Sequence, residues 1–294
     1  MNSFSQSIPY LLAGISVGGQ YALIAIGYTM VYGILRLINF AHGDIFMCAG
    51  LIMIYLVTAL PLGISIIAVI VLTVLLGYLV ERVAYRPLRT APRMSVMISA
   101  IGVSYLLQNL ALYITGGLSK PYPAIPWISD VITVFGATTK RVTVITPILT
   151  LVLVVGLVLL IRYTKIGMAM RAVSKDFETS QLMGIKVDKV ISITFIIGSF
   201  LAAVGSILFF SNYTGVFPQA GAMPGLKAFV AAVFGGIGSI PGAVVGAFII
   251  GICENLIKGL GWTTFSDAFT FALLIVILVA KPSGLFGEKS TDKV

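Results

Sequence analysis

Long apolar runs alternate with short basic loops along this chain of 294 residues. Residues 10–35 carry no charge and suffice for one tilted membrane passage. Comparable runs cover 45–60, 64–80, 96–115, 144–161, 190–210 and 269–280. The run 226–257 is longer than a straight span needs, and Gly235-Gly236-Ile237-Gly238-Ser239-Ile240-Pro241-Gly242 interrupts it. It reads as two half or full passages meeting at that break, which is tolerated where the freed backbone faces protein or a water-filled cavity. The pattern predicts an all-α, polytopic integral membrane protein, one domain over 1–294. About eight transmembrane helices are expected, with discontinuous or re-entrant segments.

The loops supply the orientation. Residues 162–189 hold Arg162, Lys165, Arg171, Lys175, Lys186 and Lys189 between two membrane-grade runs. Short loops rich in Lys and Arg stay in the cytoplasm. The same rule places loop 81–95, with Arg82, Arg86, Arg89 and Arg93, and the basic tail 281–294 on that side. Arg36 then marks an inner turn, and the amino terminus lies outside. Pro87 and Pro92 make 81–95 a stiff, irregular connection. Residues 116–141, with Tyr122 and Trp127, read as an outward loop at the interface, and 211–225 as another. Loop 162–189 is more than a turn. Met168, Ala169, Ala172 and Val173 recur at helical spacing, and Asp176 is placed to cap a second short helix running to Met183. Gly184 suits the left-handed position past its end. Short surface helices need something to dock against, so the loop reads as a handle for a cytoplasmic partner.

Hydrophobic residues make up 59% of the chain, charged residues 10%, and the mean hydropathy is +1.07. A soluble domain carries roughly a quarter charged residues, which excludes that class. The net charge of +9 comes from loop bases with no interleaved aromatic patch. It is a positive-inside bias, and no nucleic-acid partner is expected. Cys48 and Cys253 lie in apolar runs without zinc spacing and read as small packing residues. Residues 1–7 hold no basic residue and the apolar run from Ile8 goes on too long for a cleavable leader.

Three features could carry chemistry. The first is the polar break Asn39-Phe40-Ala41-His42-Gly43-Asp44. A charge at mid-membrane costs about 2.5–3.5 kcal/mol. Asp44 therefore has a partner or lines water there, or else it sits at the interface and caps the helix from Ile45. His42 is the only histidine, with no second ligand or base spaced beside it, and reads as a hydrogen-bonding residue. The second feature is the break at 235–242, between Lys227 and Glu254. Glu254 is either a path-lining group or a helix-end carboxylate paired to Lys258 at i+4. Gly235, Gly236 and Gly238 read as packing and re-entrant backbone, since no phosphate-loop context surrounds them. The third is loop 162–189, whose plain alternative is a solvated basic loop held to anionic lipid. Gly287-Glu288-Lys289-Ser290 lacks the Gly-Lys pair of a Walker A motif, so no ATPase activity of the chain's own is expected.

Four ordered stretches carry a resemblance: GQYALIAIGYTMVYGILRLINFAHGDIFM (19–47), ERVAYRPLR (81–89), MRAVSKDFETSQLMGI (170–185) and KAFVAAVFGGIGSIPGAVVGA (227–247). Together they resemble the permeases of branched-chain amino-acid ABC importers, most of all the H-type subunit of high-affinity leucine/isoleucine/valine systems. The resemblance implies a multi-pass subunit of the bacterial inner (plasma) membrane that pairs with a related second permease, as a heterodimer. Two cytoplasmic ATPase subunits using ATP-Mg and a periplasmic substrate-binding protein would complete the importer, with no cofactor bound by this chain. In that family the loop matching 168–186 docks the ATPase. Arg171, Ala172, Asp176, Gly184 and Ile185 match its pattern, whereas Lys175 and Ser180 depart from it.

A zwitterionic amino acid crosses hydrocarbon only along a partly polar path. The breaks at 39–44 and 235–242 are expected to flank that path, with half-helix ends toward the substrate's charges. Its residues would be Asn39, His42, Asp44, Gly235, Gly236, Gly238 and Glu254. No residue reads out leucine specifically. A sugar or nucleoside permease is the nearest alternative. A stand-alone channel or secondary transporter needs an ion relay, for which Asp44 and Glu254 are too few. A membrane enzyme needs a nucleophile–base or metal set that one histidine does not supply.

Overall fold

The axis of the bundle is α1 (Ser3–Leu35), whose 33 residues reach about 50 Å. The computed structural model describes residues 3–89, 91–134, 136–213 and 215–287, so Glu288, Lys289 and Ser290 lie outside the described residues. After α1 come α2 (His42–Ala59), α3 (Leu62–Val80) and α4 (Arg93–Thr115). A π-helical turn (Glu81–Tyr85) and a 3-10 turn (Arg86–Leu88) join α3 to α4. The next connection holds β1 (Lys120–Pro121), α5 (Pro126–Ser129) and the hairpin of β2 (Val131–Val134) and β3 (Ala137–Lys140). There follow α6 (Arg141–Tyr163), α7 (Lys165–Lys175), α8 (Phe177–Leu182), α9 (Val187–Asn212) and β4 (Gly215–Val216). The chain closes with α10 (Ala222–Gly235), α11 (Ile240–Gly259) and α12 (Ser266–Ala280).

Eight of the described helical stretches are long and apolar enough to cross a membrane, with Leu62–Leu88 and Thr263–Ala280 counted as single stretches. Each expected span is present. The fourteen residues of α10 reach only about 21 Å, which is short of a bilayer's hydrocarbon. On α3, α4, α6 and α12, apolar side chains such as Ile67, Leu106, Val152 and Val279 point away from the protein, the surface a bilayer covers.

Two interruptions lie inside the bundle. Past Leu35 the chain turns at Arg36 (φ 54°) and runs back inward, so that the His42 ring lies on Gly27 where a Cβ has no room. Gly27 is eight residues before the end of α1, which puts the start of α2 about 12 Å inside that end. The second interruption is 213–221. From the end of α9 the chain returns along α2. Val216 packs at Gly50, the Gln219 amide lies 3.1 Å from the Met47 sulfur, and Gly221 abuts Gly43. A Cβ on Gly43 would sit 2.8 Å from the Gly221 carbonyl oxygen. The starts of α2 and α10 thus meet within the protein.

The glycine-proline break behaves differently. It is a tight turn at the end of the bundle, with Gly236 and Gly238 at φ 104° and 100°, a region L side chains avoid. Ser239 accepts from the Gly242 amide at 3.2 Å and caps α11, with Pro241 in its first turn. Gly33 faces this turn, and the amides of Leu285 and Phe286 donate to the carbonyls of Phe234 and Gly235 at 2.9 Å. From there α11 lies along α1, with Gly14 and Gly18 against Gly251, Phe248 and Ile252. The small-residue pair of α1 is therefore a helix-crossing surface.

Basic residues gather at one end: Arg36, those of the turns 81–88 and of α7, Lys186 and Lys189 after α8, and Lys281. There Met170 and Val173 of α7 pack with Ile34 and Val187. The opposite end carries the β2–β3 hairpin, antiparallel with Val131 opposite Lys140, and the β1–β4 pair. Gly221→Val is expected to destabilise the protein by about 3 kcal/mol or more, because the methyls would meet backbone that cannot yield. A thermal melt in detergent checks this against Gly102→Ala, which enters open space and should leave the melt unchanged.

Candidate functional site

A polar layer forms where the two interruptions meet. Asp44 lies in the first turn of α2 and is 2% exposed. Among the described residues no side chain caps α2, whose N-cap is Ala41, so the interfacial-cap reading of Asp44 is replaced by a buried one. Its carboxylate accepts from the Ser104 hydroxyl and, at 3.0 Å, from the Gln108 side-chain amide, both on α4. The charge is also favoured by the amino-terminal end of α2. Asn39 accepts from the Tyr85 hydroxyl at 2.8 Å. The His42 ring meets Tyr28 edge-on, with centroids 5.1 Å apart, and packs between Gly27 and Gly198. Its Nε2 has no hydrogen-bond partner among the described residues. Ser104 and Gln108 were not picked out in the sequence, although a polar i,i+4 pair inside an apolar run is a visible signal.

Glu254 belongs to a separate cluster. One carboxylate oxygen accepts from Lys227 at 2.8 Å and Lys258 at 2.6 Å, and the other from the Tyr21 hydroxyl at 3.0 Å. Lys227 also pairs with Asp267 at 2.6 Å. Two cations and two anions thus join α10, α11 and α12 to α1. The i+4 pair with Lys258 exists, but Glu254 is 1% exposed and holds three partners, so it is more than a helix-end carboxylate. Side chains on a helix lean toward its start, which lets Lys227 reach this level from α10. Tyr21 lies two turns before Tyr28 on α1, about 10 Å from the 39–44 layer. The structure therefore divides the expected path residues among three places. Asn39, His42 and Asp44 share the interior layer, Glu254 lies toward the far end, and Gly235, Gly236 and Gly238 form the turn at the basic end. The second interior break beside 39–44 is 213–221, whose Gly215, Pro218 and Gly221 are spread through a connection that reads as outward from the sequence.

Loop 162–189 folds into α7 and α8. Thr164 caps α7 by accepting from the Gly167 amide at 3.1 Å. Gly167 lies so close to the Ile161 backbone that a Cβ has no space. Arg171 turns back to donate to the carbonyls of Ile161 and Arg162, at 3.0 and 3.1 Å, and so closes the end of α6. The buried face of α7 is Gly167, Met170 and Val173, whereas Met168 is exposed, one position off the expected stripe. Asp176 caps α8, accepting from the Thr179 hydroxyl at 2.6 Å and its amide at 3.1 Å. Those bonds hold its carboxyl below the usual carboxylate range, so the cap is complete above that range and is lost only as pH falls through the lowered value. Gly184 has φ 82°, as a left-handed helix end requires. Ala172 and Ile185 are half-buried. Leu182 and Met183 are 87% and 78% exposed, and Ile166, Met168 and Phe177 are exposed as well, all outside the membrane-spanning helices.

A family model described as branched-chain amino acid transport system / permease component matches residues 10–278. The chain is 39% identical to the high-affinity branched-chain amino acid transport system permease protein LivH of Escherichia coli (strain K12), over 99% of each protein. It is 40% identical to the BraD permease protein of the corresponding system of Pseudomonas aeruginosa, over 97% of each. Similarity to the ribose import permease protein RbsC of Haemophilus influenzae is lower, 26%, over 91% of this chain and 83% of that protein. With eight apolar helices, these similarities place the chain among multi-pass inner-membrane proteins.

Glu254→Leu removes the acceptor shared by the buried Lys227 and the half-buried Lys258. It is expected to cost about 3–5 kcal/mol, read as a lowered melting temperature in detergent. Lys227→Met with Glu254→Leu, which removes both charges, should recover part of that loss.

Proposed function

The chain belongs to the family of branched-chain amino acid transport permease components, and on that premise we propose that it forms half of the membrane path of an ATP-driven importer for branched-chain amino acids. A second permease supplies the other half, in a heterodimer. Two cytoplasmic ATPase subunits, which use ATP-Mg, and a periplasmic binding protein complete the assembly. The observation that carries this reading is the match to branched-chain permeases along nearly the whole chain at 39–40% identity. Identity to the ribose permease is lower, so the amino-acid reading is preferred to a sugar one.

In this reading the element built by Arg171, Ala172, Asp176, Gly184 and Ile185 is the ATPase-docking handle. Support comes from its folding: capped ends present Leu182, Met183 and Phe177 to the cytoplasm, where exposed apolar surface marks a protein contact. The path runs past Asn39, His42 and Asp44. There two helix starts, at α2 and α10, supply the partial positive charge that suits a substrate carboxylate. Gly235, Gly236 and Gly238 form the cytoplasmic rim, and Glu254 holds the helices that frame the path. Alternating access then consists of rocking the helices that flank the handle, driven by closure of the ATPase pair.

The test is reconstitution in liposomes with the second permease, ATPase subunits and binding protein co-expressed. ATP-driven uptake of labelled leucine that requires all partners is the expected result. Asp176→Ala should uncap α8 and lower ATPase association and uptake together. Uptake by this chain alone, without ATP, would overturn the importer reading in favour of a channel or secondary transporter.

A further inference from the structure

The connection between α3 and α4 carries an ionic joint that the importer reading does not use. Glu81 opens the π-helical turn at the end of α3 and its side chain is fully buried. The Arg89 guanidinium forks between Glu81 and Asp188, with its own side chain 16% exposed. Arg86 adds a second bond to Asp188 at 2.9 Å. The Ser192 hydroxyl donates to the other Glu81 oxygen at 2.8 Å. Asp188 and Ser192 lie in the first two turns of α9, which begins where loop 162–189 ends. The turn 81–88 is thereby fastened to the chain leaving the handle.

The joint continues toward the interior layer. Ser99 of α4 donates to the Ala84 carbonyl at 3.1 Å, which fixes α4 to the π-helical turn. Further along α4, Ser104 and Gln108 hold Asp44 at the start of α2. Ion pairs and hydrogen bonds, joined through the backbone of the π-helical turn and of α4, therefore link the end of the handle to the polar layer where α2 and α10 begin. The two halves of the Arg89 fork differ in kind. Breaking the Glu81 half would strand a buried carboxylate, so that half is fixed. The Asp188 half is 56% exposed on the aspartate side, so water can replace it and the bond can break and reform.

We propose that Arg89 is a positioning residue that passes movement of loop 162–189 into α4, and through Ser104 and Gln108 into the start of α2, by making and breaking its bond to Asp188. This rests on the importer reading. It assigns to loop 81–95 a role distinct from ATPase docking, since Arg89 faces α9 and not the exposed apolar surface.

The experiment measures leucine uptake and ATP hydrolysis together in the reconstituted complex. Asp188→Asn leaves Glu81 paired to Arg89, so the fold is kept. It should lower uptake per ATP hydrolysed roughly fivefold, with ATPase association retained. Arg89→Lys keeps a cation beside Glu81 but cannot fork, and should act in the same direction. Asp188→Glu should restore the ratio. An Asp188→Asn complex with the wild-type ratio, or one in which hydrolysis and uptake fall in parallel, would overturn the joint while leaving the importer reading in place. Failure of the wild-type complex to couple uptake to ATP would overturn both.

Discussion

Backbone groups freed within a membrane have no water to turn to, and the contact between Gly43 and Gly221 is where this protein meets that constraint. Two chain segments enter the bundle from opposite ends and stop beside each other, each starting a helix. Only residues without side chains allow such an approach. The surroundings follow from it. Tyr28 and Gly225 close in beside Gly43, His42 fits onto Gly27 and Gly198, and Met47 receives the amide of Gln219. A methyl group at the crossing would push the two starts apart and undo the polar layer around Asn39, His42 and Asp44.

Charge follows a consistent rule in the rest of the molecule. Each buried ion is answered by at least one counter-charge or by two neutral donors: Glu254 by Lys227, Lys258 and Tyr21, Glu81 by Arg89 and Ser192, Asp44 by Ser104 and Gln108. Such groups add little net stability over apolar packing, but removing one partner is costly. They therefore fix which helices sit together. Glu254 fixes the group of α1, α10, α11 and α12, and Asp44 fixes α2 to α4. The buried ions specify arrangement, and the apolar and glycine contacts supply most of the cohesion.

Much of this architecture was legible in the chain. Hydropathy marks every span, because a segment within the bilayer must be apolar along its length whether it meets lipid or, as α1 and α9 do, mostly protein. Asp176 and Gly184 were legible for a local reason, since a helix start and a helix end each demand particular residues at fixed offsets. The interior placement of 213–221 was not. That stretch looks like any polar connection, and its depth is set by packing against Gly50, Met47 and Gly43 on a distant helix. The break at 235–242 is legible as the meeting of two passages, α10 and α11, but its place at the end of the bundle is not. Its glycines and proline mark a tight turn as well as they would mark a re-entrant end. Partners for Glu254 and Asp44 were half-visible: Lys258 follows from i+4 spacing, whereas Lys227, Tyr21, Ser104 and Gln108 depend on which helices pack together. On α7 the spacing identifies Val173 but not Gly167, which carries no apolar signal and occupies the closest contact, and Met168 turns outward.

The pairing of Lys227 with Glu254 has a consequence for how the protein is made. Lys227 lies on a helix of fourteen residues, and the first of its two acceptors in chain order, Glu254, lies 27 residues later. During synthesis α10 emerges with a lysine that costs about 3 kcal/mol in hydrocarbon and with too few residues to span it. It has no stable place in the bilayer until α11 brings Glu254 alongside. The two must enter as one helical hairpin, folded at the Gly236–Gly238 turn, onto an α1 already in position. Biogenesis of this half of the bundle is thus ordered by one ion pair, from the first helix synthesised to the last ones to arrive.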